Sequence, residues 1–214
     1  MNIRIRKIWK ENRGFIVFVA LMFIFRSAVA DWNHVPTGSM KPTILEGDHI
    51  FINKMAYDIR VPFTHISLHK LGDPKRGDII IFDSKVSGKR LVKRAIGVPG
   101  DIVAMKNNVL YINGEPLDYR DLNPDAGDKE EDLFGVRHQI RIVTGGGYLS
   151  SFPPVQVPEG QYLALGDNRD NSSDSRVIGF IPRKEIVGRS RKVVLSINYE
   201  NYYLPRANRY FHSI

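Results

Sequence analysis

Residues 77–98 read GDIIIFDSKVSGKRLVKRAIGV, and two short runs within them decide the fold class. GDIIIFDS (77–84) and KRLVKRAIGV (89–98) are brief, rich in β-branched residues and bounded by turn formers, the pattern of strands. The same texture recurs in DHIFINKM (48–55), DIVAMKNNVLYING (101–114) and EIVGRSRKVVLSI (185–197). Within NNVLYINGEPL, Asn113-Gly114 predicts a hairpin turn. No segment beyond residue 40 sustains a 3.6-residue apolar period. The reading is a mainly β protein built on a complex antiparallel sheet.

The second run also carries chemistry. On a strand, alternate residues share a face. Leu91, Lys93, Ala95 and Gly97 therefore place one amine among apolar and small neighbours, with no acid. Burial there lowers a lysine pKa, because desolvation disfavours the charged form. Taken alone, a single strand lysine is more readily an edge residue in solvent. Arg94 points to the opposite face, where it needs an acidic partner.

VPTGSMKPT, at residues 35–43, sets Ser39 in a small turn flanked by prolines. One reading is a linker; the other is a nucleophile, which needs a base. Six histidines are present, none in a triad-like motif, and the G-x-S-x-G elbow is absent. A neutral buried lysine is the other base, and Lys93 suits it better than Lys70, Lys75, Lys85 or Lys89, which sit among polar turn residues. The chain has no cysteine, which excludes thiol nucleophiles, disulfides and cysteine-based zinc sites. GDNRDNSSDSR (166–176) reads as a polar loop, a calcium loop, or a brace of Asp/Arg pairs. The calcium reading lacks its glycine and closing glutamate at the required offsets. Neither metal nor cofactor is expected.

The N-terminus is basic, with Arg4, Arg6, Lys7, Lys10 and Arg13 against Glu11. Eleven apolar residues follow, Phe15 to Phe25, then Arg26 and Ala28-Val29-Ala30 before Asp31. Gly14 to Trp32 spans 19 residues, about the length a helix needs to cross a bilayer, with Arg26 placed to snorkel. A cleavable secretory signal and a buried core helix fit the same stretch. The expected division is a cytoplasmic segment (1–13), an anchor (14–32), a β domain outside (33–117 and 151–214) and a small lobe or exposed excursion (118–150). DAGDKEED (125–132) in that lobe reads as a solvated acidic face. The net charge of +8 allows an anionic membrane surface or nucleic acid.

Together, PTGSMKPT, GDIIIF, LVKRAIGVPGD and GDNRDNSSDSR resemble, in order, the signature boxes of bacterial type I signal peptidases. That resemblance covers most of residues 15–110 and 160–190. It implies a catalytic domain with a transmembrane helix and a serine endopeptidase that removes signal peptides from exported proteins. Ser39 would be the nucleophile and Lys93 the general base. Thr37 would complete the oxyanion hole, and Ser172 would hydrogen-bond Lys93. Asp167, Arg94, Asp174 and Arg176 would form a charged brace. Val35, Pro36, Met40, Ile44, Ile81, Leu91 and Val92 would line the substrate site. The implied partners are signal peptides and the lipid bilayer, not nucleic acid. The implied location is the bacterial inner membrane, single-pass, N-terminus inside. One span, a short second lobe and the missing cysteine pair depart from longer family members. They leave open a specialised relative, such as a conjugative pilin peptidase. From another class, a non-catalytic membrane-surface binding module remains.

Overall fold

The computed structural model describes residues 3–143, 145 and 147–214. The Gly145-Gly146-Gly147 turn and the start of the 1–13 segment therefore lie partly outside the described residues. The chain begins with helix α1 (Ile3–Ala28) and continues through β1 (Ala30–His34), β2 (Asp48–Asn53), β3 (Asp58–Arg60), β4 (Ser67–Lys70), β5 (Ile79–Ser84) and β6 (Lys89–Gly97). Next come β7 (Ile102–Lys106), β8 (Val109–Ile112), β9 (Glu115–Pro116), β10 (Asp118–Asn123), β11 (Asp128–Leu133), β12 (Val136–Arg141), β13 (Phe152–Gln156) and β14 (Gln161–Leu165). Helix α2 (Ser175–Ile178), β15 (Ile181–Pro182), β16 (Ile186–Asn198), β17 (Leu204–Pro205) and β18 (His212–Ser213) close it. The main sheet runs β1-β2-β16-β5-β6-β14-β15, with β17 and β18 also pairing with β16. The ladders of this sheet are antiparallel, and past α1 the sole α-helix among the described residues is the single turn α2.

The unbroken apolar run of β5 has a packing reason. Ile79, Ile80, Ile81 and Phe82 are all at most 2% exposed, because both faces of the strand are covered. Ile79 and Ile81 pack with Val35, Met40, Ile44, Ile50, Ile52 and Val193. Ile80 and Phe82 pack with Tyr57, Ala95, Tyr162, Ala164, Ile181 and Ile186. A third core unites β7, β8 and β14. Asn113-Gly114 turns between β8 and β9 as expected, both residues at positive φ (55° and 89°). DIVAMKNNVLYING proves to be two strands, and Asn107 and Asn108, at φ 50° and 63°, make the turn between them.

Two expectations change, and a membrane-spanning helix is not shown. Helix α1 stops at Ala28, and Ala30–His34 joins the sheet as β1, so the 14–32 stretch is not one helix. No helix among the described residues is long and apolar enough to cross a membrane. The physical reason is charge: Arg13 and Arg26 bracket twelve uncharged residues, about 18 Å of helix against a hydrocarbon core of about 30 Å. Arg26 is also held by the domain. It donates to Asp31 Oδ1 (Nη2, 2.7 Å) and lies 4.3 Å over the Trp32 ring, while Lys54 pairs with Asp31 at 3.2 Å. Finally, the acidic run is not all solvated. It forms β11 in the β10-β11-β12 sheet, and Glu131 within it is fully buried.

Candidate active site

Strand β6 lies between β5 and β14, with Lys93 opposite Ile80 and Arg94 opposite Ile79 and Leu165. The alternation seen in the sequence is therefore real: Leu91 and Ala95 pack with the Ile80–Phe82 core. Lys93 is 3% exposed. Its Nζ donates to Ser39 Oγ at 2.6 Å. Burial pushes its pKa down to about 8; Asp174 and Asp167 oppose that shift, and Arg176 adds to it. None of the six histidines, among the described residues, bonds to Ser39.

The turn carrying Ser39 is clamped from the 166–176 loop. Asn168 N donates to Ser39 O at 3.1 Å, and Asn168 Nδ2 donates to Gly38 O at 3.0 Å. The approach is close enough that a Cβ at Gly166 would stand 2.4 Å from Ser39 O and 2.2 Å from Ser172 Oγ. Glycine is therefore required at 166.

Two carboxylates of this loop, Asp167 and Asp174, are engaged by cations. Asp167 receives both arms of Arg94, at 2.9 and 2.7 Å, and the Thr43 hydroxyl at 2.6 Å. Burial works to raise the Asp167 carboxyl, but Arg94 outweighs it and holds it below the usual carboxylate range. Asp174 accepts from Arg176 Nη2 at 2.7 Å and from Gly166 N at 3.0 Å. Arg176 extends to the backbone oxygens of Arg169 and Leu149. Ser172 is buried beside Gly166, but its Oγ has no hydrogen-bond partner, so the bond to Lys93 implied by the resemblance is not made here.

The residues that the resemblance assigns to a substrate site divide between two cores. Val35, Met40, Ile44 and Ile81 share one core, and Val92 packs against it. Leu91 belongs to the core on the other face of the sheet, because strand alternation separates it from Val92. Pro36 and Thr37 are exposed on the turn before Ser39.

Asn168 and Thr43 were not singled out from the sequence, nor was the buried set behind them. Arg169, fully buried, donates from Nη1 and Nη2 to Glu131 at 2.8 and 2.7 Å. Tyr119 Oη donates to Glu131 at 2.7 Å, and His138 Nε2 lies 3.2 Å from it. Burial works to raise the Glu131 carboxyl, but Arg169 and His138 outweigh it and hold it far below the usual range. The β12 backbone completes the link: Arg141 N donates to Asp167 O and Arg169 N to Arg141 O. The sequence carried no clear signal for this set, because Arg169 shares its loop with Arg176 and with Asp167, Asp170 and Asp174.

A mainly antiparallel β protein with one N-terminal helix, whose buried lysine touches a turn-borne serine, has the parts of a serine hydrolase. A family model described as "Signal peptidase, peptidase S26" matches residues 9–195. The chain belongs to that family, as a signal peptidase I enzyme. The signal peptidase I of Pseudomonas fluorescens is 34% identical over 206 residues, covering 86% of this chain and 72% of the relative. That of Bacillus amyloliquefaciens is 37% identical over 186 residues, covering 86% and 84%. The crystal structure of a signal peptidase I from Enterococcus faecalis V583 is 31% identical, with a TM-score of 0.38, covering 56% of this chain and 98% of that one.

Proposed function

We propose that this chain cuts signal peptides from exported proteins with a Ser39/Lys93 dyad. The observation that carries the reading is the 2.6 Å contact between Lys93 Nζ and Ser39 Oγ, made by an amine whose pKa burial lowers to about 8. The neutral amine takes the Ser39 proton as Oγ bonds to the scissile carbonyl carbon. The C–N bond then breaks, Lys93 returns the proton to the leaving amine, and an acyl-enzyme remains. Water adds to the acyl carbon, giving its proton to Lys93, and Ser39 leaves protonated. While Ser39 is acylated, Lys93 needs another partner, and the unpaired Ser172 hydroxyl is the group for it.

Thr37 and the Ser39 amide are the oxyanion donors in this reading. Thr37→Ser is expected to keep activity. Thr37→Val is expected to lose roughly 10²-fold in kcat with little change in KM, since the bond matters most in the transition state. Steady-state kinetics on a peptide substrate check this; equal kcat for Thr37→Val and the unmodified enzyme removes Thr37 from the role.

Substrate enters as an extended strand along residues 33–36 and 90–92. Val35, Met40, Ile44, Ile81 and Val92, which pack together as one apolar cluster, are the walls of the substrate pockets in this reading. A peptide panel is expected to show strong preference for small residues one and three positions before the cut. Indifference to bulky residues there favours a different serine–lysine protease.

Helix α1 supports a membrane setting. Phe15, Phe18, Leu21, Phe23 and Phe25 are each more than half exposed. In this reading residues 1–13 lie in the cytoplasm, and the rest of α1, to Ala28, is the retained anchor. The domain of 33–117 and 151–214, with the 118–150 lobe, lies on the outer face. Ser39 then meets substrates where their signal peptides leave the bilayer. The deciding experiment is cleavage of a labelled precursor by the full chain in vesicles, with Ser39→Ala as control. Activity surviving in Ser39→Ala overturns the dyad.

A further inference from the structure

The residues beyond β16 do more than close the sheet. Arg209 donates from Nε to Asp48 Oδ1 at 3.1 Å and from Nη2 to both Asp48 Oδ2 and the Thr43 carbonyl, the latter at 3.0 Å. Asp48 is fully buried, and its Oδ2 also accepts from Leu45 N at 2.8 Å. Arg206 Nη1 donates to Glu46 O at 3.0 Å, and also to Ile197 O and Ser196 Oγ. One guanidinium thus grips residues 43 and 48, both ends of the turn that carries Ile44, and a second grips its middle. The turn's contacts lead toward the dyad. Ile44 N donates to Met40 O, and Val35 N to Asp48 O. Thr43 is hydrogen-bonded to Asp167, the partner of Arg94 next to Lys93.

We propose that residues 199–214 form a strap that sets selectivity for the residue before the cut, with Arg209 as its positioning residue. This rests on the peptidase reading above. Ile44, with Val35 and Met40, is a wall of the substrate site, and its backbone has no regular strand or long helix to hold it. The planar fork of Arg209 supplies that hold by reaching a carboxylate and a carbonyl at once. A lysine keeps the charge but reaches fewer acceptors. When the fork is lost, the wall gives way: small side chains lose their close fit, while larger ones gain room.

The test uses the full chain in vesicles and two peptide substrates that differ only in Ala or Val before the cut. The readout is the ratio of their kcat/KM values, which a loss of folded enzyme does not alter. Arg209→Gln is expected to lower the Ala substrate's kcat/KM by about tenfold or more and to narrow the Ala-to-Val ratio by about tenfold. Arg209→Lys is expected to fall between Arg209→Gln and the unmodified enzyme. If Arg209→Gln does not fold, the ratio in Arg209→Lys decides. An unchanged ratio overturns the strap, whether or not the overall rate falls. An unmodified chain that cleaves neither peptide overturns the peptidase reading, and the strap with it.

Discussion

Lys93→Met is expected to abolish cleavage and yet to stabilise the folded chain at neutral pH. The loss of activity follows from removing the proposed base, the amine that touches Ser39, and a fall of at least about 10³-fold is expected. Lys93→Arg is expected to be as inactive, because a guanidinium stays protonated at any working pH. The stability gain follows from linkage. The folded pKa of Lys93, about 8, is below its ordinary value of 10.5, so the unfolded chain holds the lysine proton more tightly. Lysine at 93 is therefore destabilising, fully so below about pH 8, by an upper bound of about 3 kcal/mol. The penalty fades as pH rises from about 8 to 10.5. Denaturant unfolding of both proteins across that range is expected to show the gain of Lys93→Met shrinking with alkali. A gain that does not change with pH argues against a depressed pKa. In the unmodified enzyme the same group is expected to make kcat/KM rise with pH and level off above about 8.

Arg169→Met is expected to be among the most damaging substitutions remote from the dyad. It leaves the fully buried Glu131 carboxylate without its bidentate partner, and breaking such a pair costs roughly 3–5 kcal/mol. Adding Glu131→Leu is expected to recover much of that loss, because the double change removes both members of this buried ion pair. Unfolding midpoints of the single and double variants check this, and a double variant no better than the single one counts against it. The pair also gives an acid sensitivity. The Glu131 pKa is depressed by folding, so its contribution is present above about pH 4.5 and is lost as pH falls toward its folded value. Because Arg169 follows Asn168, which holds the Ser39 turn, acid or substitution here is expected to loosen the nucleophile as well.

Much of this protein is determined by its sequence alone. The β class follows from short β-branched runs between turn formers, and the Asn113-Gly114 hairpin from two residues that tolerate positive φ. The apolar face of Lys93 follows from strand period, and the need of Arg94 for an acid from charge. These are local properties, carried by residues within about ten positions of one another. Tertiary structure decided what depends on distant partners. It set Ser39 against Lys93, 54 positions apart, and Asp167 against Arg94, 73 apart, pairings that the sequence implied only through its resemblance to a family. Glu131 could not be told from its solvated acidic neighbours, because its partner Arg169 lies 38 positions on. The helix ended early because Ala30–His34 found pairing with Asp48–Asn53, a hydrogen-bonding gain that no property of the 14–32 stretch encodes. Leu91 and Val92, neighbours in sequence, were separated onto two cores because successive strand side chains point to opposite faces, and only the completed sheet decides what covers each face.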